Sequence, residues 1–113
     1  MMQNLISPLK IAECKPQGHI NASNADHLKN QLIALVNSDI KGVLVDLHQV
    51  EGLDSAGLMA LVAALSLAQR QDKRFSLCCV PPAIRMILEL TQLDRVFEIF
   101  ENRKEFEAAC SKD

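Results

Sequence analysis

The amino-acid sequence predicts one α/β domain in which helices pack on a mixed, mostly parallel sheet. Short apolar runs rich in β-branched residues alternate along the chain with longer segments whose apolar residues recur at helical spacing. Strands and helices that alternate in this way are typical of a layered α/β structure with right-handed crossovers. The 113 residues, of which 49% are apolar, suffice for one core and are too few for two. We therefore expect residues 1–113 to form a single domain with four to five strands and about four helices.

The beginning of the chain is predicted to contain two short strands and a helix. Residues 9–14 alternate weakly between apolar and polar side chains, a turn signal with proline and glycine follows, and residues 19–20 begin a second strand-like run. The spacing then becomes helical and predicts a helix over 23–37. Ser23 followed by Asp26 resembles a capping box with aspartate in the place of glutamate, which marks a helix start.

The centre of the predicted sheet is the run 43–47, which is apolar except for Asp46. Such a run is typical of a parallel strand that is buried on both faces. Residues 48–53 are predicted to form a loop. The remaining predicted elements are a helix over 54–71, a strand over 75–80, a helix with Pro82 as its first residue, a strand over 96–100 and a helix over 101–109 anchored by Phe106.

Charge and composition exclude several classes of function. Twelve basic against fourteen acidic residues give a net charge of -2, and no strongly basic stretch is present to neutralise a phosphate backbone. The aromatic residues are four phenylalanines, without the tyrosines and tryptophans on which bases stack. No apolar run approaches the ~20 residues that span a bilayer, and the first residues lack the pattern of a signal peptide. We expect a cytoplasmic protein that neither binds nucleic acid nor inserts into a membrane.

The cysteines give no sign of a metal site. Cys14, Cys78, Cys79 and Cys110 show neither CxxC spacing nor a histidine at a metal-ligand interval, so we expect reduced thiols and no bound metal. Cys78 and Cys79 are neighbours in a strand-like run, where consecutive side chains point to opposite faces. The pattern predicts two small, buried apolar side chains at these positions.

The segment that opens at Asp54 is distinctive because its helix has almost no polar side chains. The stripe expected to pack on the sheet consists of Leu58, Leu61, Val62 and Leu65. Between positions 56 and 68 the only polar side chain is Ser66, so the opposite face carries Met59 and alanines without any charge. Such a helix is either covered on both sides by its own domain or exposes a patch that binds a partner. Composition alone leaves both possibilities open.

Ser55 is predicted to begin this helix. With Asp54 as the N-cap, its hydroxyl lies near the carboxyl edge of the sheet, where open α/β sheets place functional groups. The free N–H groups and the positive end of the helix dipole would accommodate a phosphate there. On spacing alone the simpler interpretation is favoured, in which Asp54 and Ser55 only cap the helix.

Two enzymatic interpretations fail on individual residues. A nucleophile elbow requires glycine two positions before the serine, whereas position 53 is leucine. A phosphate-accepting aspartate of the response-regulator type needs an acidic cluster that holds Mg²⁺, and neither Asp46 nor Asp54 has an acidic neighbour in the sequence. We therefore expect a protein that is not an enzyme, with no catalytic residue and no cofactor.

Three segments carry a further pattern: the run 43–47, the motif L-D-S-A-G-L at 53–58, and I-L-E-L-T-Q-L-D-R-V-F-E-I at 87–99. Together they resemble the STAS domain of anti-sigma factor antagonists, which are also called anti-anti-sigma factors. The resemblance extends from about residue 18 to about residue 100. It implies a small α/β domain with a mixed, mostly parallel sheet, and a binding protein without enzymatic activity.

The resemblance also implies a regulatory role for Ser55. In the family, the serine after the aspartate of this motif is phosphorylated by a partner anti-sigma factor, which is an ATP-dependent serine kinase. Unphosphorylated antagonist binds the kinase and frees the sigma factor, phosphorylated antagonist lets go, and a phosphatase of the PP2C type resets the switch. The partner-binding residues that the resemblance implies are Asn21, Asp54, Ser55, Ala56, Gly57, Leu58 and Met59.

Two positions depart from the family pattern. Asn21 stands where members often carry an acidic residue, and Ala56 stands where many relatives have a second serine, which leaves Ser55 as the only hydroxyl in the motif. The leading hypothesis is a phosphorylation-switched antagonist of an anti-sigma kinase. The alternative is a STAS subunit of a membrane ABC transport complex of the phospholipid type. In such a complex the serine would be structural, and the apolar patch would bind a nucleotide-binding subunit permanently.

Overall fold

Strands and helices alternate along the described residues, which are 4–6 and 10–112 of the computed structural model. The strands are β1 (Asn4–Ile6), β2 (Ile11–Cys14), β3 (Gly18–Ile20), β4 (Gly42–Asp46), β5 (Val50–Leu53), β6 (Arg74–Cys78) and β7 (Glu98–Phe100). The helices are α1 (Ala25–Val36), α2 (Ser55–Arg70), α3 (Pro82–Leu90) and α4 (Arg103–Lys112), and a 3-10 turn at Leu93–Arg95 precedes β7. None of the helices in this part of the chain has the length and hydropathy needed to cross a membrane.

Five strands form the main sheet in the order β1-β2-β4-β6-β7. β1 is antiparallel to β2, and the other neighbouring pairs are parallel. The predicted mixed, mostly parallel α/β fold is therefore confirmed. β4 lies at the centre with all five residues buried, as its nearly continuous apolar run predicts.

A second, two-stranded sheet is the main departure from the prediction. β3 pairs in parallel with β5, so the segment 48–53 contains a strand where a loop was expected. β2 and β3 are both confirmed as strands, but they belong to different sheets. β5 has the sequence V-E-G-L, which carries a weak strand signal, and its partner is distant in the chain. The additional strand β1 was not predicted, and Leu9, at the start of the first predicted strand, lies outside the described residues.

The start of α1 differs from the predicted capping box. The N-cap is Asn24, whose Oδ1 accepts a hydrogen bond from the backbone N–H of Asn21 at 2.9 Å. The hydroxyl of Ser23 donates to Oδ1 of Asn21 at 2.6 Å and does not cap the helix. Asp26 instead forms a loose ion pair with Lys29 at 3.9 Å. The capping box is therefore wrong, because two asparagines take the hydrogen-bonding roles at this turn.

Helices cover the two faces of the main sheet unequally. α1, α2 and α3 lie on one face and enclose the larger apolar core. α4 alone covers the other face, whose smaller core consists of Ile11, Leu44, Cys78 and Phe106. Phe106 is fully buried and packs edge to face on Phe100 with the ring centroids 5.6 Å apart, which confirms it as the anchor of the last helix. Pro82 is likewise confirmed as the first residue of α3.

The sheet face under α4 also carries polar groups. Glu13, Asp46 and Ser76 are buried there. At its edge, Nε and one terminal nitrogen of Arg74 each donate to a carboxylate oxygen of Glu98 at 2.8 Å, and the hydroxyl of Ser76 donates to the same carboxylate. The hydrogen bonds from Arg74 are the main reason why the pKa of the Glu98 carboxyl lies below its ordinary value.

Replacing Glu98 by glutamine is expected to reduce the loss of stability on the acid side. Because the folded-state pKa is lowered, the stabilisation by Glu98 is fully present above the ordinary glutamate pKa of about 4.3. It is lost as pH falls through the lowered value. The side chain is 40% exposed, so Glu98→Gln should cost at most about 1 kcal/mol at neutral pH, and this cost should shrink in acid. Urea unfolding at neutral and acidic pH measures both quantities.

The matched control is Glu101→Gln. Glu101 is 77% exposed and lies 3.9 Å from Arg85, so Glu101→Gln should change the free energy of unfolding at neutral pH by no more than about 0.5 kcal/mol. If the stability cost of Glu98→Gln stays constant from neutral pH into acid, the ionised Glu98 carboxylate is not the source of the stabilisation.

Candidate functional site

Asp54 is the N-cap of α2 and holds the start of this helix in place. Its Oδ1 accepts a hydrogen bond from the N–H of Gly57 at 3.1 Å, and its carbonyl accepts one from the N–H of Leu58 at 2.9 Å. Its own N–H donates to the carbonyl of Ile20 at 3.1 Å, which ties the helix start to β3. The predicted capping role of Asp54 is confirmed.

Asn21 lies beside this helix start because β3 and β5 are parallel. Ile20 is paired with Leu53, so the next residues, Asn21 and Asp54, leave the same edge of the second sheet. The half-buried side chain of Asn21 accepts hydrogen bonds from the N–H and hydroxyl of Ser23. The second sheet therefore brings together the two segments that carry the predicted site residues, and Asn21 shapes the turn between them and α1.

Ser55 presents its hydroxyl to solvent. It is the first residue of α2 and is exposed, and its hydroxyl makes no hydrogen bond to any other described residue. The N–H groups of a first helical turn have no intrahelical acceptor, and Asp54 accepts from that of Gly57 through its side chain. The remaining donors and the helix dipole give this end a partial positive charge. The hydroxyl is thus accessible to a modifying enzyme, in an environment that favours an added anion.

Gly57 and Leu58 do not belong to the accessible surface, contrary to their predicted contact with a partner. Leu58 is only 7% exposed and packs in the larger core. Gly57 is buried, and a Cβ at this position would lie 2.5 Å from Cδ1 of Leu53 and 2.9 Å from Cγ2 of Ile20. Both residues act by packing the start of α2 against the second sheet.

Most of the uncharged circumference of α2 is covered by the domain itself. The helix packs on α1 and β6, and the small side chains that allow this close approach are Ala60, Ala64 and Ala68, all of them buried. Packing within the domain therefore explains much of the apolar composition that the sequence left open.

The exposed remainder is a groove between α1 and α2. Met59, which is 60% exposed, borders it. The groove has a volume of about 370 Å³ and is lined by Ala22, Ala25, Asp26, Lys29, Ala56, Met59, Ala60 and Ala63. Its floor is apolar, and the ion pair of Asp26 and Lys29 lies on the α1 side. Because Ala56 and Met59 follow Ser55 in the first turns of α2, the groove begins beside the exposed hydroxyl.

The structure also brings three side chains together at the carboxyl ends of β4 and β6. Cys79 lies just beyond β6 with a φ of 60°, so its Sγ is 3.3 Å from that of Cys78. The expectation of opposite faces is wrong because strand alternation ends at Cys78. Asp46, at the end of neighbouring β4, lies beside both thiols. Burial raises the pKa of Cys78, and it raises that of Cys14 to about 11.

Comparison with known proteins identifies the family. The STAS domain matches residues 10–106. A Bordetella bronchiseptica protein described as an anti-sigma factor antagonist, BtrV, is 32% identical over 94 residues, which are 82% of this chain and 80% of that protein. The chain therefore belongs to the STAS domain family.

Solved structures agree in fold. One described as an anti-sigma factor antagonist from Thermotoga maritima has a TM-score of 0.88 at 22% identity, over 97% of this chain and 93% of that chain. The Bacillus cell fate determinant SpoIIAA in its phosphorylated form has a TM-score of 0.72 at 8% identity, over 96% of this chain and 97% of that chain. At these identities the likeness concerns the fold alone.

Proposed function

We propose that this protein binds and sequesters an anti-sigma serine kinase and that phosphorylation of Ser55 releases the kinase. A phosphatase of the PP2C type then removes the phosphate and restores binding. One observation carries the proposal: the unbonded, exposed hydroxyl of Ser55 lies at the N-terminus of α2, where the apolar groove begins. The name of the Bordetella bronchiseptica relative supports the same class of function.

The physical basis of the switch is a change of charge without a change of fold. A phosphate on Ser55 would add about 1.5 to 2 negative charges at neutral pH. The N-terminus of α2 tolerates an anion, so the helix is expected to remain intact. A kinase surface docked over Met59 and the groove would have to desolvate this phosphate, close to the carboxylate of Asp54, and it would therefore dissociate.

Phosphate mapping tests the proposal directly. The tagged protein is used to capture its kinase from an extract of the cells that produce it, and the complex is incubated with ATP. Peptide mass spectrometry should then find phosphate on Ser55, and Ser55→Ala should abolish the labelling while still capturing the kinase. The matched control is Ser111→Ala, which removes an exposed hydroxyl on α4, away from the start of α2, and should leave labelling unchanged.

Two outcomes would contradict the proposal. Labelling that persists in Ser55→Ala would place the phosphate elsewhere. Capture of a transporter-type ATPase, with no phosphate on Ser55, would support the role of a transport-complex subunit instead.

A further inference from the structure

The carboxyl ends of β4 and β6 hold Asp46 and Cys78 side by side. The two residues are paired in the parallel register, and the carbonyl of Cys78 accepts a hydrogen bond from the N–H of Leu47 at 3.1 Å. Cys78 is fully buried and Asp46 is 8% exposed, on the sheet face that α4 covers. Their positions are therefore fixed by the central strands of the fold.

Cys79 adds a second thiol through an unusual backbone conformation. Its φ of 60° lies in the left-handed region, which a side chain other than glycine rarely adopts. In extended backbone its thiol would point away from that of Cys78, whereas here the two sulfurs are 3.3 Å apart. Strained residues of this kind concentrate at functional sites, where the surrounding structure holds them.

The donor atoms are close enough to surround one cation. The two sulfurs and a carboxylate oxygen of Asp46 all lie within 4.8 Å of one another. A tetrahedral Zn²⁺ with Zn–S bonds of about 2.3 Å needs two sulfurs roughly 3.8 Å apart, so small side-chain rotations suffice. His48 borders this set, because its Nδ1 lies 2.9 Å from Oδ1 of Asp46, and its side chain is half-exposed.

The charge around the thiols favours a cation. Glu13 lies on the same sheet face, its side chain is 2% exposed, and its Oε2 has no hydrogen-bond partner among the described residues. Its Oε1 forms ion pairs with Arg103 at 3.4 Å and with Lys15 at 3.9 Å. A bound cation would offset both carboxylates and the thiolates together.

We propose that Cys78, Cys79 and Asp46, with water in the fourth position, form a binding site for one thiophilic divalent cation of the Zn²⁺ type. Binding replaces the two thiol protons, which pass to solvent, and forms two metal–sulfur bonds. Glu13 does not contact the cation, and its negative charge stabilises the cation through space. Cys78 lies on the sheet face that α4 covers, whereas α2 packs on the opposite face.

Cadmium and zinc titration of the reduced full-length protein tests the site. Native mass spectrometry should show one Cd²⁺ or Zn²⁺ per chain, and Cd²⁺ should produce sulfur-to-metal charge-transfer absorption. Cys79→Ser and Asp46→Asn should each weaken binding by at least about 10- to 100-fold, because the loss of a ligand costs no less than the loss of a group that hydrogen-bonds to one. Circular dichroism shows whether each variant folds. If Cys79→Ser does not fold, Asp46→Asn, which keeps both thiols, is used in its place.

The control is Cys110→Ser, which removes a half-buried thiol on the same face and should leave the affinity unchanged. The proposal is overturned if the wild type takes up no metal in a one-to-one ratio, if Cys79→Ser and Asp46→Asn both bind as tightly as the wild type, or if Cys110→Ser loses binding equally. Formation of a Cys78–Cys79 disulfide in the presence of oxidised glutathione, in place of metal binding, would likewise overturn it.

Discussion

Replacing Ser55 by glutamate is expected to weaken binding of the kinase by about 10- to 100-fold, which corresponds to about 1.4 to 2.8 kcal/mol. The carboxylate would add one negative charge where Ser55 is exposed, beside the carboxylate of Asp54. Because a docked partner must desolvate this charge, the effect should appear mainly as faster dissociation. Titration calorimetry or surface plasmon resonance with the captured kinase measures the change.

Glutamine at the same position separates charge from size. Ser55→Gln has nearly the same volume as Ser55→Glu and carries no charge, so it should lose much less affinity than the glutamate variant. Both variants should unfold at similar urea concentrations, because the residue is exposed and its hydroxyl makes no hydrogen bond within the described residues. Equal losses of affinity for the two would mean that bulk alone disturbs docking and that the switch is not electrostatic.

Elements with strong local periodicity were predictable from the sequence. The helical spacing of leucines in α2, with Asp54 before it, specifies both the helix and its first residue. The apolar run of β4 specifies a central parallel strand, which the structure confirms. In each case the order of apolar and polar residues within the segment itself is enough to predict the element.

Features that depend on distant partners were not predictable in this way. β5 is a strand because β3 lies beside it, and its own four residues include an exposed glutamate and a glycine. The same pairing places Asn21 beside Asp54, a proximity that spacing cannot reveal. Cys79 departs from strand alternation because the chain turns immediately after β6, so a rule based on periodicity placed its thiol on the wrong side.

The composition of α2 illustrates how one pattern can serve two purposes. Its buried alanines allow α2 to pack closely on α1. Packing within the domain therefore accounts for most of the apolar surface of this helix. What packing does not explain is Met59, which is 60% exposed in the second turn of the helix. A large apolar side chain at the rim of a groove gains its stabilisation only when a partner covers it.

Truncating Met59 to alanine is therefore expected to reduce affinity for the kinase on the order of 2 kcal/mol, or about 30-fold in Kd. This variant changes no charge, so it probes the apolar part of the interface separately from Ser55. The free energy of unfolding should stay within about 0.5 kcal/mol of the wild type, because the side chain is mostly exposed in the free protein. Affinity and urea unfolding are measured on the same preparations.

Met86 in α3 provides a control of identical chemistry. It is also 60% exposed, and it lies on α3, whereas the groove is between α1 and α2. Met86→Ala therefore removes the same side-chain atoms at a position outside the groove. If the kinase docks on the groove, Met59→Ala should lose affinity and Met86→Ala should keep it. Equal losses, or a loss confined to Met86→Ala, would place the docking surface on another part of the molecule. In that case phosphorylation of Ser55 could not act by charge at the interface.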